Sequence, residues 1–208
     1  MKMKSYSSIC VVVVTLSVIF YGCGPEKTER IGFLSDYSKL QAQSDVSARY
    51  APAGNRLGKY KDFIIDPVVI HFHTDAKAKG KLKEQDLTDL KSYMRTALVK
   101  AIEDQYGIVY QPGPNVARVR VAITDLKKSK IVQNILPIGK VAGTGIGGAS
   151  LEGEMLDSQT GEQLGALVES QAGKRLSLDG YSTWGDAKAV MDGWAKRFRA
   201  RLDEAHRQ

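Results

Sequence analysis

His71-Phe72-His73-Thr74-Asp75 is the stretch whose side chains come closest to metal chemistry. In a strand, alternate residues share a face, so His71, His73 and Asp75 line up on one side. Imidazole nitrogens and a carboxylate oxygen are ligand types that hold zinc. No fourth ligand stands at a matching spacing, and the bland reading is a pair of solvent-facing histidines. Elsewhere the material for catalysis is thin. No G-x-S-x-G elbow occurs, and His206 lies at the chain's end. The acid pairs Asp86/Asp89 and Asp203/Glu204 have the spacing of solvated helix faces. Gly143-Thr144-Gly145-Ile146-Gly147-Gly148 invites comparison with a phosphate loop, but no Gly-Lys-Ser/Thr follows and the next segment reads as a strand, not a helix. Catalytic residues are therefore expected to be none, and metal ligands none beyond the candidates His71 and His73.

The other reactive group is the thiol of Cys23. Lys2 and Lys4 precede an apolar run from Ile9 to Phe20, and no acid appears before Glu26. This is the layout of an export signal. A helix crossing a bilayer needs about 20 apolar residues, and this run is shorter. Phe20-Tyr21-Gly22-Cys23 resembles the lipobox of bacterial lipoproteins, in which a small residue precedes the modified cysteine; Phe20 and Tyr21 depart from its usual types. The resemblance implies cleavage between Gly22 and Cys23, a diacylglyceryl group on the sulfur and a second acylation on the new amine. Two or more acyl chains anchor stably, each buried methylene contributing about 0.8 kcal/mol. Gly24, where Asp would retain the protein at the inner membrane, fits delivery to the outer membrane. The alternative is ordinary secretory cleavage with Cys23 incidental.

Cys10 falls inside the leader, so the processed chain keeps one cysteine and no internal disulfide. The whole chain carries a formal charge of +7. Losing residues 1–22 removes two lysines and leaves a positive balance, which suits an anionic surface such as lipid head groups or cell wall. It suits plain solubility equally well. The basic residues are dispersed and lack interleaved aromatics, so no nucleic-acid partner is expected.

Hydrophobic periodicity then places the elements. Residues 23–30 read as a lipidated tether and 31–208 as a single domain. Phe33, Tyr37 and Leu40 have the spacing of a brief helical face, and 41–61 reads as irregular. Asp62–His73 is rich in β-branched and aromatic residues, with Pro67 marking an edge, a bulge or a start. From Lys83 to Tyr106, Leu87, Leu90, Met94, Leu98 and Ile102 recur at helical steps, and Gly107 stands at the capping position. Ile108–Tyr110 is a short strand. Val116–Asp125 alternates, Val119, Val121 and Ile123 against Arg118 and Arg120. Ala149–Asp157 and Leu164–Gly173 form a hairpin about Gly161. Glu152 and Glu154 should face Arg118 and Arg120 across the strands. Asp186–Ala205 is a second helix, with Val190, Met191, Trp194, Phe198 and Leu202 as its stripe; Arg197, Arg199 and Arg201 lie off the stripe and suit the helix dipole. The expected fold is α+β: a mostly antiparallel sheet of four or five strands, two main helices on one face, in β-α-β-β-β-α order.

Lys127, Lys128 and Lys130 precede Ile131, Ile135 and Leu136, and a glycine-rich tail follows to Gly148. Irregular segments of this length inside compact domains are commonly binding loops. A basic start and an apolar middle suit a membrane surface or a partner's groove; the bland reading is that Ile131–Ile138 covers an end of the core.

GFLSDYSKL from Gly32, LPIG from Leu136, GGASLEGEMLDSQTGEQL from Gly147 and WAKRFRARL from Trp194 resemble a family of uncharacterised bacterial lipoproteins, a domain of unknown function. The resemblance spans about Gly32 to Leu202. It implies an envelope location and a small α+β domain, and no activity. The expectation is a lipid-anchored outer-membrane protein facing the periplasm, a non-enzymatic binding or accessory module with no cofactor beyond the lipid on Cys23. Its partners would be the membrane, through that lipid, and an envelope protein or the cell wall. The rival is an envelope enzyme or metal-binding protein using His71 and His73.

Overall fold

A computed structural model describes residues 30–72, 76, 80–129, 147–173 and 182–207. The strands are β1 (Gln41–Ser44), β2 (Ser47–Tyr50), β3 (Asp62–Ile65), β4 (Val69–Ile70), β5 (Gly107–Ile108), β6 (Val116–Lys127), β7 (Gly148–Asp157) and β8 (Gln163–Ala172). The helices are α1 (Glu84–Ile102), between β4 and β5, and α2 (Gly185–Arg207), after β8.

The sheet has eight strands in the order β1-β2-β8-β7-β6-β3-β5, with β4 pairing β6 beside β3. This corrects the expected four or five strands and the expected order: four strands precede the first helix. The sheet is mixed. The β1–β2, β2–β8, β6–β7 and β7–β8 pairs are antiparallel, whereas β3–β5, β3–β6 and β4–β6 are parallel.

Two physical causes account for the difference. β1 is Gln-Ala-Gln-Ser and exposed throughout, so no buried face prints an alternation on its sequence. Its ladder to β2, not side-chain burial, holds it. Pro67 then divides the expected first strand in two, since it has no N–H for the ladder. β3 ends at Ile65; Asp66 N still donates to Val119 O at 3.1 Å, and after β4 His71 N donates to Ile123 O at 2.9 Å.

The main core lies between the sheet and the two helices. Leu90, Met94, Leu98 and Ile102 of α1 meet Val190, Met191, Trp194 and Leu202 of α2 over Phe63, Val119, Val121, Ile123 and Leu151. Phe63 sits at the centre, edge-on to Tyr106 at 5.6 Å and to Phe198 at 6.1 Å, the arrangement the ring quadrupoles favour. At the hairpin, Gly161 takes φ +73°, a conformation a Cβ would penalise.

The opposite face of the sheet is covered by residues 30–40, which cross it as a strap. Leu34 packs on Ala166 and Val168, flanked by Phe33, Tyr37, Leu40 and Tyr50. Two carboxylates of β7 bind this strap. Glu152, 0% exposed, accepts from Ile31 N at 2.9 Å and from the Tyr37 hydroxyl. Glu154, 3% exposed, accepts from Ser35 N, Ser35 Oγ, Gln163 Nε2 and Arg120 Nη1. The face expected to be wet is thus dry beneath the strap. Arg120 stands opposite Glu154 and pairs with it at 2.7 Å; Arg118 stands opposite Leu156 and turns instead to Asp66, at 3.6 Å.

Candidate functional site

Between α2 and the sheet the core leaves a cleft of about 400 Å³. Val119, Val121, Leu151 and Met155 of the sheet form its floor, Met94 and Leu98 of α1 its far wall, and Trp194, Phe198 and Leu202 of α2 its roof. The size falls in the range of about 300–1,000 Å³ typical of small-molecule sites, and so does the mostly apolar lining with a few polar groups. The segment joining β2 to β3 supplies a lip at Pro52, Asn55 and Leu57.

Helical spacing explains how α2 builds both roof and rim. Residues 194, 197, 198, 201, 202 and 205 recur at three- and four-residue steps, so they share one face, and all of them line the cleft. Trp194, Phe198, Leu202 and Ala205 supply its apolar part; Arg197 and Arg201 stand along its border with Arg49 of β2 and Glu204. Arg197 is engaged, donating to Glu169 Oε1 at 2.7 Å and to Gln171 Oε1 at 3.4 Å. Arg201 is different. It is half-buried and has no ion pair or hydrogen bond among the described residues. Burial holds its guanidinium below its ordinary pKa, and the charges of Arg49 and Arg197 push it further down against the opposing pull of Glu169 and Glu204. Trp194, 4% exposed, has an indole Nε1–H with no acceptor among the described residues.

A second cluster gathers where the expected contact loop leaves and rejoins the domain. Asp186, wholly buried in the first turn of α2, accepts from Ser129 Oγ and from Gly147 N, each at 2.8 Å. Ser129 N donates to Thr183 O at 2.9 Å, and Gly173 N to Gly147 O at 3.0 Å. A carboxylate at a helix N-terminus is well placed for the macrodipole. Here it also ties the two stems of the 130–146 segment together.

The residues singled out in the sequence are distributed as follows. His71 is exposed beyond β4, and His73 and Asp75 lie outside the described residues, as do Gly22, Cys23, Lys130, Ile131, Ile135, Leu136 and the glycines of 143–145. Among the described residues no group of three His, Cys, Asp or Glu side chains is arranged to hold a metal ion. No described helix is long and apolar enough to cross a membrane. Lys127 is exposed at the end of β6. Lys128 is exposed as well, 3.9 Å from Asp86 and 5.3 Å from the Trp184 ring centre. The cleft itself escaped the sequence. Its available signal was the interleaving of Arg197 and Arg201 with the apolar stripe at helical steps, which reads as easily as a dipole effect.

A model of a family described as a protein of unknown function (DUF3313) matches residues 29–198. No curated protein matches this chain. Among solved structures, a single-substitution variant of the PelC dodecamer from Paraburkholderia phytofirmans is 13% identical, with 75% of this chain and 95% of that one covered and a TM-score of 0.43. Protein CT253 from Chlamydia trachomatis, titled hypothetical, is 14% identical over 71% of this chain and 97% of its own, with a TM-score of 0.37. A putative neuraminyllactose-binding hemagglutinin homolog from Helicobacter pylori is 9% identical over 70% and 82%, with a TM-score of 0.32.

Proposed function

Because the chain belongs to the DUF3313 family, a family of unknown function, we propose its role from its own residues: a non-enzymatic binding protein of the bacterial envelope that takes an apolar ligand into the cleft beneath α2. The lipid on Cys23 anchors it to the outer membrane, with the domain facing the periplasm. The observation that carries the binding role is the cleft, about 400 Å³ of mostly apolar space bordered by three arginines. An apolar ligand entering such space removes its own surface from water at about 25 cal/mol per Å². The leader pattern and Cys23 support the location.

Two measurements on the full chain, purified from detergent-solubilised envelopes and exchanged into a ligand-free buffer, test the two halves. Titration with a neutral naphthylamine fluorophore should give saturable binding that Val121→Trp, which fills the cleft, abolishes. Binding that is absent, or that survives this substitution, overturns the binding role. Intact mass should show a chain beginning at Cys23 and carrying acyl groups; a bare sulfur or a retained leader overturns the anchor.

A further inference from the structure

The cleft combines apolar and cationic lining, and the combination identifies a ligand. The wall formed by Trp194, Phe198, Val121 and Leu151 is apolar, and the charge stands where Arg201, Arg197 and Arg49 border it. Seven residues separate Trp194 from Arg201, about 10 Å along the helix axis at about 1.5 Å per residue. A ligand matched to both features has a hydrocarbon body and one anionic end. We propose, resting on the binding role above, that the cleft accepts a single-chain fatty acid, its chain lying against Trp194 and Phe198 and its carboxylate pairing with Arg201.

Three observations support the carboxylate end. Arg201 is half-buried without a hydrogen bond or ion pair among the described residues, and unpaired guanidinium groups away from water are costly. Arg197 is already committed to Glu169 at 2.7 Å, whereas Arg201, on the same helix face, has no such bond among the described residues. Arg49 and Arg197 add like charge around it, so an arriving anion relieves repulsion as well as making its own bond. The guanidinium fork matches a carboxylate with two parallel hydrogen bonds. Glu204, on the same border, disfavours a second negative charge and so favours a monoanion. About 400 Å³ lies at the small end of the ligand-pocket range, which suits one chain rather than a two-chain lipid.

The test uses the full chain and amphiphiles of equal length: hexadecanoate, hexadecanol and hexadecyltrimethylammonium. Displacement of the bound naphthylamine fluorophore gives each affinity, and quenching of Trp194 emission, measured with Trp184→Phe as background, reports occupancy. Hexadecanoate should bind at least about tenfold more tightly than hexadecanol, one charge-assisted bond's worth. Arg201→Gln should remove that preference, bringing hexadecanoate and hexadecanol to the same affinity. Equal affinity for acid and alcohol, or a preference that survives Arg201→Gln, overturns the fatty-acid assignment and leaves the cleft as a neutral apolar site. Tightest binding of the ammonium overturns it as well. Binding of none of the three defeats the cleft as a ligand site altogether.

Discussion

Ser35 donates twice to Glu154, through its backbone N at 2.8 Å and its hydroxyl at 2.7 Å. That pair of bonds joins the first described segment to the middle of the sheet. The carboxylate also accepts from Arg120 at 2.7 Å and from Gln163 at 3.0 Å, so burial of its charge is compensated from several sides.

Truncating this carboxylate strands several donors at once. Glu154→Ala should lower unfolding stability by about 2–4 kcal/mol, because Arg120 and Ser35 lose a buried charged partner. Urea denaturation followed by far-UV circular dichroism measures this. Hydrogen exchange should show residues 31–38 losing protection before the rest of the domain. A loss under about 0.5 kcal/mol would show that the strap is not held through this residue.

The Asp186 node predicts a local effect of a different kind. Asp186→Ala should cost about 1–3 kcal/mol, the penalty for leaving buried donors unpaired, and should speed proteolytic cutting between residues 127 and 148. Ser129→Ala removes only one of the two stem bonds and should cost less. Limited proteolysis followed by mass spectrometry separates the two variants.

Acid sensitivity should have a component from the hairpin turn. Asp157 accepts from Thr160 N at 2.9 Å, Gln159 N at 3.0 Å and Tyr60 Oη at 2.8 Å. Led by the Thr160 and Tyr60 bonds, these hold its pKa at about 2, below the ordinary 3.8. A carboxylate depressed on folding contributes stability that is fully present above 3.8 and is lost as the pH falls toward 2. The Tyr60 phenol is pushed up by burial and by its bond to Asp157, so it stays protonated and donating throughout that window. Tyr60→Phe should therefore flatten the fall in stability between about pH 4 and pH 2, read from urea midpoints. An unchanged slope rejects the linkage.

Two glycines of β7 should respond oppositely to a methyl group. A Cβ on Gly148 would sit 2.6 Å from Gln171 O in the paired strand, whereas on Gly153 the nearest atom would be Val121 Cγ2 at 3.6 Å. Gly148→Ala should cost about 1–3 kcal/mol as overpacking against backbone. Gly153→Ala should be neutral or gain a few tenths, about the entropy saved in the unfolded chain. Thermal midpoints of the pair give the comparison directly.

Elements that bury a stripe or a face were legible. The helical spacing of Leu90, Met94, Leu98 and Ile102 corresponds to the buried side of α1, and the alternation of Leu151, Gly153 and Met155 with Glu152 and Glu154 follows the pleat of β7. What escaped was set by distant partners. The parallel pairing of Asp62–Ile65 with Val116–Val119 depends on where α1 returns the chain, which no local pattern encodes. Glu152 and Glu154 look like solvent-facing residues because the segment that covers them lies more than a hundred positions upstream. β1 and β2 are stabilised by backbone bonds that any sequence can make. Of the cleft, the apolar wall was visible as the α2 stripe; the arginine border was not, since Arg49 comes from a segment with no helical or strand period.

The sheet's two outer margins are both poor templates. At one, the polar Gln-Ala-Gln-Ser of β1 is thrown out of step with β2 between Ala42 and Ser44; at the other, β5 is only two residues long. Unmatched strands add to such margins reluctantly. Copies of this domain brought close together would therefore find little to zip onto among the described strands, and ribbon-like stacking, the usual hazard of a wide open sheet, is disfavoured at both of these margins.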